Sequence, residues 1–171
     1  SALTNLSQNI STGGQEVALL HFGGHAQREG LRLQDGTAFS EGLVTQLRSA
    51  AQVKLIVLNA CSTIDQVKAF LQLPEVIVVA TTCPVADRQA AFFAARFYEA
   101  LGAQRTIQES YQIAVGAMQT RWPEYNNAPT HPTAQLRAFG RQPTLHSIPA
   151  VPWQLYYDPE KPELLNWHLP Y

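Results

Sequence analysis

Four side chains in this sequence have the chemistry of a nucleophilic site: Cys61, Cys83, His21 and His25. Cys61 ends the stretch Lys, Leu, Ile, Val, Leu, Asn, Ala, Cys, in which residues 55–58 are consecutive aliphatics. Such a run is the pattern of a strand buried on both faces, as in the middle of a parallel sheet. His25 is placed the same way, after the aliphatic residues 17–20 and the sequence His, Phe, Gly, Gly. Two buried strands that each release one reactive residue at the carboxyl end are the minimum for a Cys–His pair. A thiol with a pKa near 8.5 is only a few per cent thiolate at neutral pH, so it needs an imidazole beside it.

The other two residues have plainer readings. Cys83 follows a third aliphatic run, 76–80, and is expected to fill the core, as free cysteines commonly do. His21 lies within or at the end of its strand and is expected to be a buried supporting residue, hydrogen-bonded to a neighbouring loop. The two histidines could share a metal in principle, but no Cys or His cluster supplies a third ligand, so neither a metal nor another cofactor is expected. A redox switch joining Cys61 to Cys83 would require Cα atoms within about 7 Å.

The elements that must position these residues follow from periodicity and punctuation. Leu3, Leu6 and Ile10 are spaced for a short helix closed by Gly13 and Gly14. A strand is expected over 16–22 and a small hairpin over 30–39, with Asp35 and Gly36 at its turn. Ser40 is placed to cap a helix to about residue 50, and two helical turns over 64–71 end before Pro74. Asp87 is read as the N-cap of a helix over 88–101, and Thr106 with Glu109 as a capping box for the next, which Pro123 stops. Residues 124–150 show no period and are expected to be a long irregular loop. Strand character returns at 151–157, and Trp167 and Tyr171 are expected to pack the tail onto the body. Strand, crossover helix and strand in this order imply a parallel α/β sheet, whose ligand site lies at the carboxyl ends of its strands.

Bulk properties narrow the function classes. With 171 residues the chain is expected to form one domain, able to bury a core without disulfides or metals. A net charge of −1 argues against nucleic acid or anionic lipid as a direct partner. No apolar run approaches the roughly 20 residues that span a bilayer, and no signal-peptide pattern is seen, so a cytoplasmic location is expected. Charged residues make up only 15%, against roughly 25% in an average soluble domain. That deficit, with a start at Ser1, leads us to expect a fragment of a longer chain whose remaining part, or a partner, covers some of the surface.

These residues carry a resemblance. Residues 21–26, His, Phe, Gly, Gly, His, Ala, are similar to the histidine motif of CHAT domains, which are caspase-like cysteine peptidases. Residues 58–63 resemble the cysteine motif of that family, an apolar strand running into x, Ala, Cys, x, Thr. The hairpin 31–36, the segment 85–101 and the closing residues Pro152, Trp153, Leu155 and Tyr156 extend the likeness over about 16–157. Two features depart from the pattern. Glu75 follows Cys61 by only 14 positions, where CHAT domains usually carry a longer Gly-rich stretch, and Ala26 stands where Gly is commoner.

The resemblance implies an α/β fold of the caspase-like kind: a three-layer sandwich with a mostly parallel central sheet and helices on both faces. It implies a cysteine endopeptidase acting on a protein or peptide substrate, the effector domain of a regulated multidomain bacterial protein with a fused or bound sensor. The alternative is a non-catalytic scaffold or interaction module that keeps the fold. In the peptidase reading Cys61 is the nucleophile, His25 the general base and acid, and the backbone N–H groups of Ala26 and Cys61 the oxyanion hole. Asn59, two before the nucleophile, occupies a pocket-lining position in the related families, and its uncharged amide commits the pocket to neither charge. Asp87 is a second substrate-binding candidate that could select a basic side chain, with its N-cap role the favoured reading. Asp35 is a third, read first as a turn residue.

Overall fold

A computed structural model describes residues 18–27, 30–33, 36–49, 53–60, 63–126, 134–135 and 151–170. The sequence-predicted helix near residues 3–10, Asp35, Cys61 and Tyr171 lie outside the described residues. Among the described residues, seven strands form one sheet: β1 (Leu19–Gln27), β2 (Gly30–Leu33), β3 (Gly36–Phe39), β4 (Leu55–Ala60), β5 (Ile77–Thr81), β6 (Ala134–Gln135) and β7 (Trp153–Tyr157). Their order across the sheet is β3-β2-β1-β4-β5-β7-β6. The helices are α1 (Ser40–Ser49), α2 (Ile64–Phe70), α3 (Asp87–Gly102) and α4 (Ile107–Arg121).

The two aliphatic runs take the middle of the sheet, as their composition requires. Every residue of β4 and of β5 is buried, and β1, β4 and β5 run parallel. Alternation divides β4 and β5 between two cores. Leu55, Val57, Ile77 and Val79 pack with Phe93, Phe97 and Leu101 of α3 and with Ile107, Tyr111, Val115 and Met118 of α4. Ile56, Leu58, Val78 and Ala80 pack with Leu43, Val44 and Leu47 of α1 and with Val67 and Phe70 of α2. Each fully buried aliphatic side chain contributes about 1.5–3 kcal/mol, which makes this central pairing the firmest part of the fold.

The sheet is mixed, which corrects the mostly parallel expectation. β1 pairs antiparallel with β2, β2 with β3, and β5 with β7, so parallel pairing is confined to the centre and to β6 beside β7. The hairpin β2–β3 and the capping box of α4 are as expected, with Thr106 Oγ1 accepting from Glu109 N–H at 3.1 Å and Glu109 accepting from Thr106 N–H at 3.0 Å.

Four boundaries differ. β1 continues through His25 to Gln27, so His25 lies in the strand and not past its end. Ser40 is the first residue of α1, and its buried hydroxyl has no hydrogen-bond partner among the described residues. Ala86, not Asp87, is the N-cap of α3, and Asp87 is the first helical residue. Within 124–150, residues 124 and 125 belong to a 3-10 turn, Pro123–Tyr125, and β6 adds a short strand beside β7. Trp167 packs as expected: it joins the α3–α4 core, and its carbonyl accepts from Ile107 N–H at 2.9 Å.

Candidate functional site

The carboxyl ends of β1 and β4 lie side by side. Their register runs from Leu19 opposite Leu55 to Gly24 opposite Ala60, the residues that immediately precede His25 and Cys61. Beyond Gly24 the pairing of β1 changes sides, with His25 opposite Arg32 and Ala26 opposite Leu31 on β2. Chain continuity therefore leaves β1 toward β2 and leaves β4 toward β5, in opposite directions. That divergence is a topological switch point, where open α/β sheets bind ligands.

Gly24 makes the change of partner possible. Its φ of +157° is a backbone conformation that side-chain-bearing residues rarely adopt, and a Cβ there would also meet the Phe22 ring at 3.3 Å. Alternation resumes past it, since Ala26 packs with the α1–α2 core alongside Phe22. His25 is accordingly on the other face, in the row of Leu19, His21 and Gly23, and it is exposed.

Asn59 sits in this row's register, opposite Gly23. It is buried, and its amide is committed at both ends: Nδ2 donates to the Ala90 carbonyl of α3 at 3.0 Å, and Oδ1 accepts from Trp153 Nε1 at 2.9 Å. Trp153 is fully buried and stacks on Phe93 with ring centroids 4.3 Å apart and planes 4° from parallel. Asn59 thus ties the end of β4 to a helix and to a strand from far along the chain.

His21 has a different partner from the one expected. Its Nδ1 shares a hydrogen bond of 2.6 Å with the hydroxyl of Tyr98, which belongs to α3 and not to a loop. The ring lies along β1, with Nε2 only 3.3 Å from where a Cβ on Gly23 would be, so glycine there leaves the imidazole its space. The side chain is not buried as expected, although partial desolvation holds its pKa below the ordinary histidine value, and burial raises that of Tyr98.

A pH dependence follows from that shift. The folded state holds the His21 proton more weakly than the unfolded chain, so the unfolded state binds more protons below the ordinary value of 6.5. The stabilising effect is present above about 6.5 and is lost as pH falls through the folded-state pKa. Urea unfolding on both sides of about pH 6.5 is expected to show this loss, and His21→Gln to remove its share of the slope. An unchanged slope in the variant would refute the assignment to His21.

The remaining candidates are more scattered. Ala26 is half-buried at the end of β1, and Asp87 is exposed in the first turn of α3. Cys83 is exposed with a free thiol, which overturns its reading as core filler. The chain had already left β5 at Thr81, so the aliphatic run no longer covers it. Cys61 and Asp35 are not among the described residues. Among the described residues there is no group of three or more His, Cys, Asp or Glu that could hold a metal ion, and no helix long and apolar enough to cross a membrane.

Periodicity did not single out a buried threonine pair. Thr63 and Thr81, both without solvent exposure, stand between the ends of β4 and β5 with their hydroxyl oxygens 3.1 Å apart. The one available signal is that both aliphatic runs end in a polar residue at the same edge of the sheet.

Comparison with known proteins supplies the family. Residues 1–138 match the family described as the CHAT domain. The chain belongs to the CHAT-domain family. No curated protein matches it. The matched stretch includes the histidine strand β1, the strand β4 and the whole of α3 and α4, and it makes this a caspase-like, peptidase-related domain. Trp153, the partner of Asn59, lies beyond the matched stretch of the CHAT domain.

Proposed function

We propose that this CHAT domain is a cysteine endopeptidase in which Cys61 and His25 form the catalytic dyad. The observation that carries the reading is the switch point between β1 and β4, which puts an exposed His25 one residue past Gly24 and Ala60 one residue before Cys61. In this reading the two cores on opposite faces of the sheet are those of a caspase-like three-layer sandwich.

The Cys61 thiolate adds to the scissile carbonyl carbon, and the backbone N–H groups of Ala26 and Cys61 hold the oxyanion. Collapse of the adduct breaks the C–N bond as protonated His25 gives its proton to the leaving amine. Water, deprotonated by the now neutral imidazole, hydrolyses the thioester and returns the thiol. Specificity falls to Asp87, with Asp35 as a second contact, because the Asn59 amide is engaged within the fold. The domain acts in the cytoplasm of a bacterium, on a protein or peptide substrate and without a cofactor, under control of a fused or bound sensor.

A peptide-directed thiol probe tests the reading without knowledge of the natural substrate. The exposed thiol of Cys83 serves as the internal reference. The expected result is preferential labelling of Cys61, accompanied by turnover of members of a positional peptide library. Equal labelling of the two thiols with no turnover would favour the scaffold alternative. Within the library a preference for basic residues next to the cleaved bond is expected, and indifference to charge would remove Asp87 from the pocket.

A further inference from the structure

The polar groups of Thr81 all serve the two residues that flank positions 61 and 62. Its N–H donates to Thr63 Oγ1 at 2.9 Å, its hydroxyl donates to the Ala60 carbonyl, and its carbonyl accepts from Thr63 N–H at 2.9 Å. Thr63 completes the arrangement by donating its hydroxyl proton to the Leu58 carbonyl at 3.1 Å. With both hydroxyl protons directed at strand carbonyls, Thr63 Oγ1 is free to accept from the Thr81 backbone.

The position of this cluster matters as much as its completeness. Register pairing between β4 and β5 ends at Leu58 opposite Ala80. Past that point the two threonines continue the link with one backbone bond and several side-chain bonds, where β4 leads on toward Cys61. Both residues are fully buried, so a lost hydroxyl would leave a carbonyl with no water to replace it.

We propose that Thr81 is a positioning residue for Cys61, fixing through its hydroxyl and its backbone Ala60 and Thr63, which flank the nucleophile and Ser62. The proposal rests on the peptidase reading for its catalytic consequence, but not for its structural one. Thr81→Val keeps the shape and removes the hydroxyl, and Thr81→Ser restores it. Misplacement of a reacting group by about 1 Å can cost about a hundredfold in rate.

The experiment compares wild type, Thr81→Val and Thr81→Ser for iodoacetamide alkylation of Cys61 and Cys83 across pH, and for library peptide cleavage. In Thr81→Val we expect the Cys61 alkylation rate to change by about tenfold or more with a displaced pH midpoint. Alkylation of Cys83 should stay unchanged, and Thr81→Ser should recover the wild-type profile. Cleavage by Thr81→Val should lose kcat by about tenfold or more with KM within about twofold. A folded Thr81→Val protein whose Cys61 reacts as in wild type overturns the proposal, and should it not fold, a Thr81→Ser profile displaced in the same way as a Thr81→Ala profile does so instead. A wild type that cleaves nothing while its Cys61 still responds to Thr81→Val overturns the peptidase reading alone.

Discussion

Cys61→Ala is expected to lower peptide cleavage by at least about a thousandfold, equivalent to about 4 kcal/mol of barrier. Removal of the thiol ends covalent catalysis and leaves only what binding and the oxyanion donors supply. His25→Ala should cost about 10²- to 10⁴-fold, the usual range for general acid–base catalysis. His25 is exposed at the end of β1, so its removal should move stability by no more than about 0.5 kcal/mol. The double variant should be scarcely worse than Cys61→Ala, because residues that act as one unit are not additive. Steady-state cleavage measured beside thermal unfolding checks all three. Retained turnover in Cys61→Ala would locate the chemistry elsewhere, whereas loss of turnover with loss of fold in His25→Ala would make that histidine structural.

Trp153→Ala should cause the largest loss of stability. The indole is fully buried, stacked on Phe93, and its Nε1–H is the donor to Asn59 Oδ1. Removing it opens a cavity worth about 3–5 kcal/mol, which for a chain of this size corresponds to a fall in Tm of about 6–20 °C. Trp153→Phe is the milder change, because it keeps an aromatic ring against Phe93 and loses the N–H with the smaller part of the indole. That variant should cost about 1–3 kcal/mol for leaving a buried Asn59 oxygen without its donor, in addition to the cost of the smaller cavity. A double-mutant cycle of Trp153→Phe with Asn59→Leu should then show coupling of about 0.5–3 kcal/mol. Denaturant unfolding provides the measurement, and additive effects would show that the hydrogen bond contributes little. Because Asn59 immediately precedes Ala60, loss of activity in Trp153→Phe without unfolding would also report on how firmly the end of β4 must be held.

The elements differ in how openly the sequence displays them, and the reasons are physical. β4 and β5 are buried on both faces, so they must be apolar at every position, and a continuous run survives inspection. The capping box at Thr106 is equally plain because both of its partners lie within one helical turn. β1 is less plain. Two glycines normally read as a turn, yet here Gly24 provides the unusual φ by which the strand passes from β4 to β2 without ending. Asp87 looked like an N-cap because capping preferences favour Asp over Ala, but Ala86 takes the extended conformation that starts α3 and no side chain caps it. β6 rests on two residues paired with β7, too short a segment for any periodicity.

The sequence by itself determined the central parallel strands, the amphipathic helices around them, and the pairing of a histidine strand with a cysteine strand as the place to look for chemistry. It could do so because burial and periodicity are local properties, legible within a few residues. Only the tertiary structure decided which polar groups hold that place together. His21 meets Tyr98 across 77 positions, Asn59 meets Trp153 across 94, and Thr63 meets Thr81 across 18. No local pattern encodes such contacts, because the partners are far apart in the chain and each polar group acquires its specific partner only when folding brings the elements together.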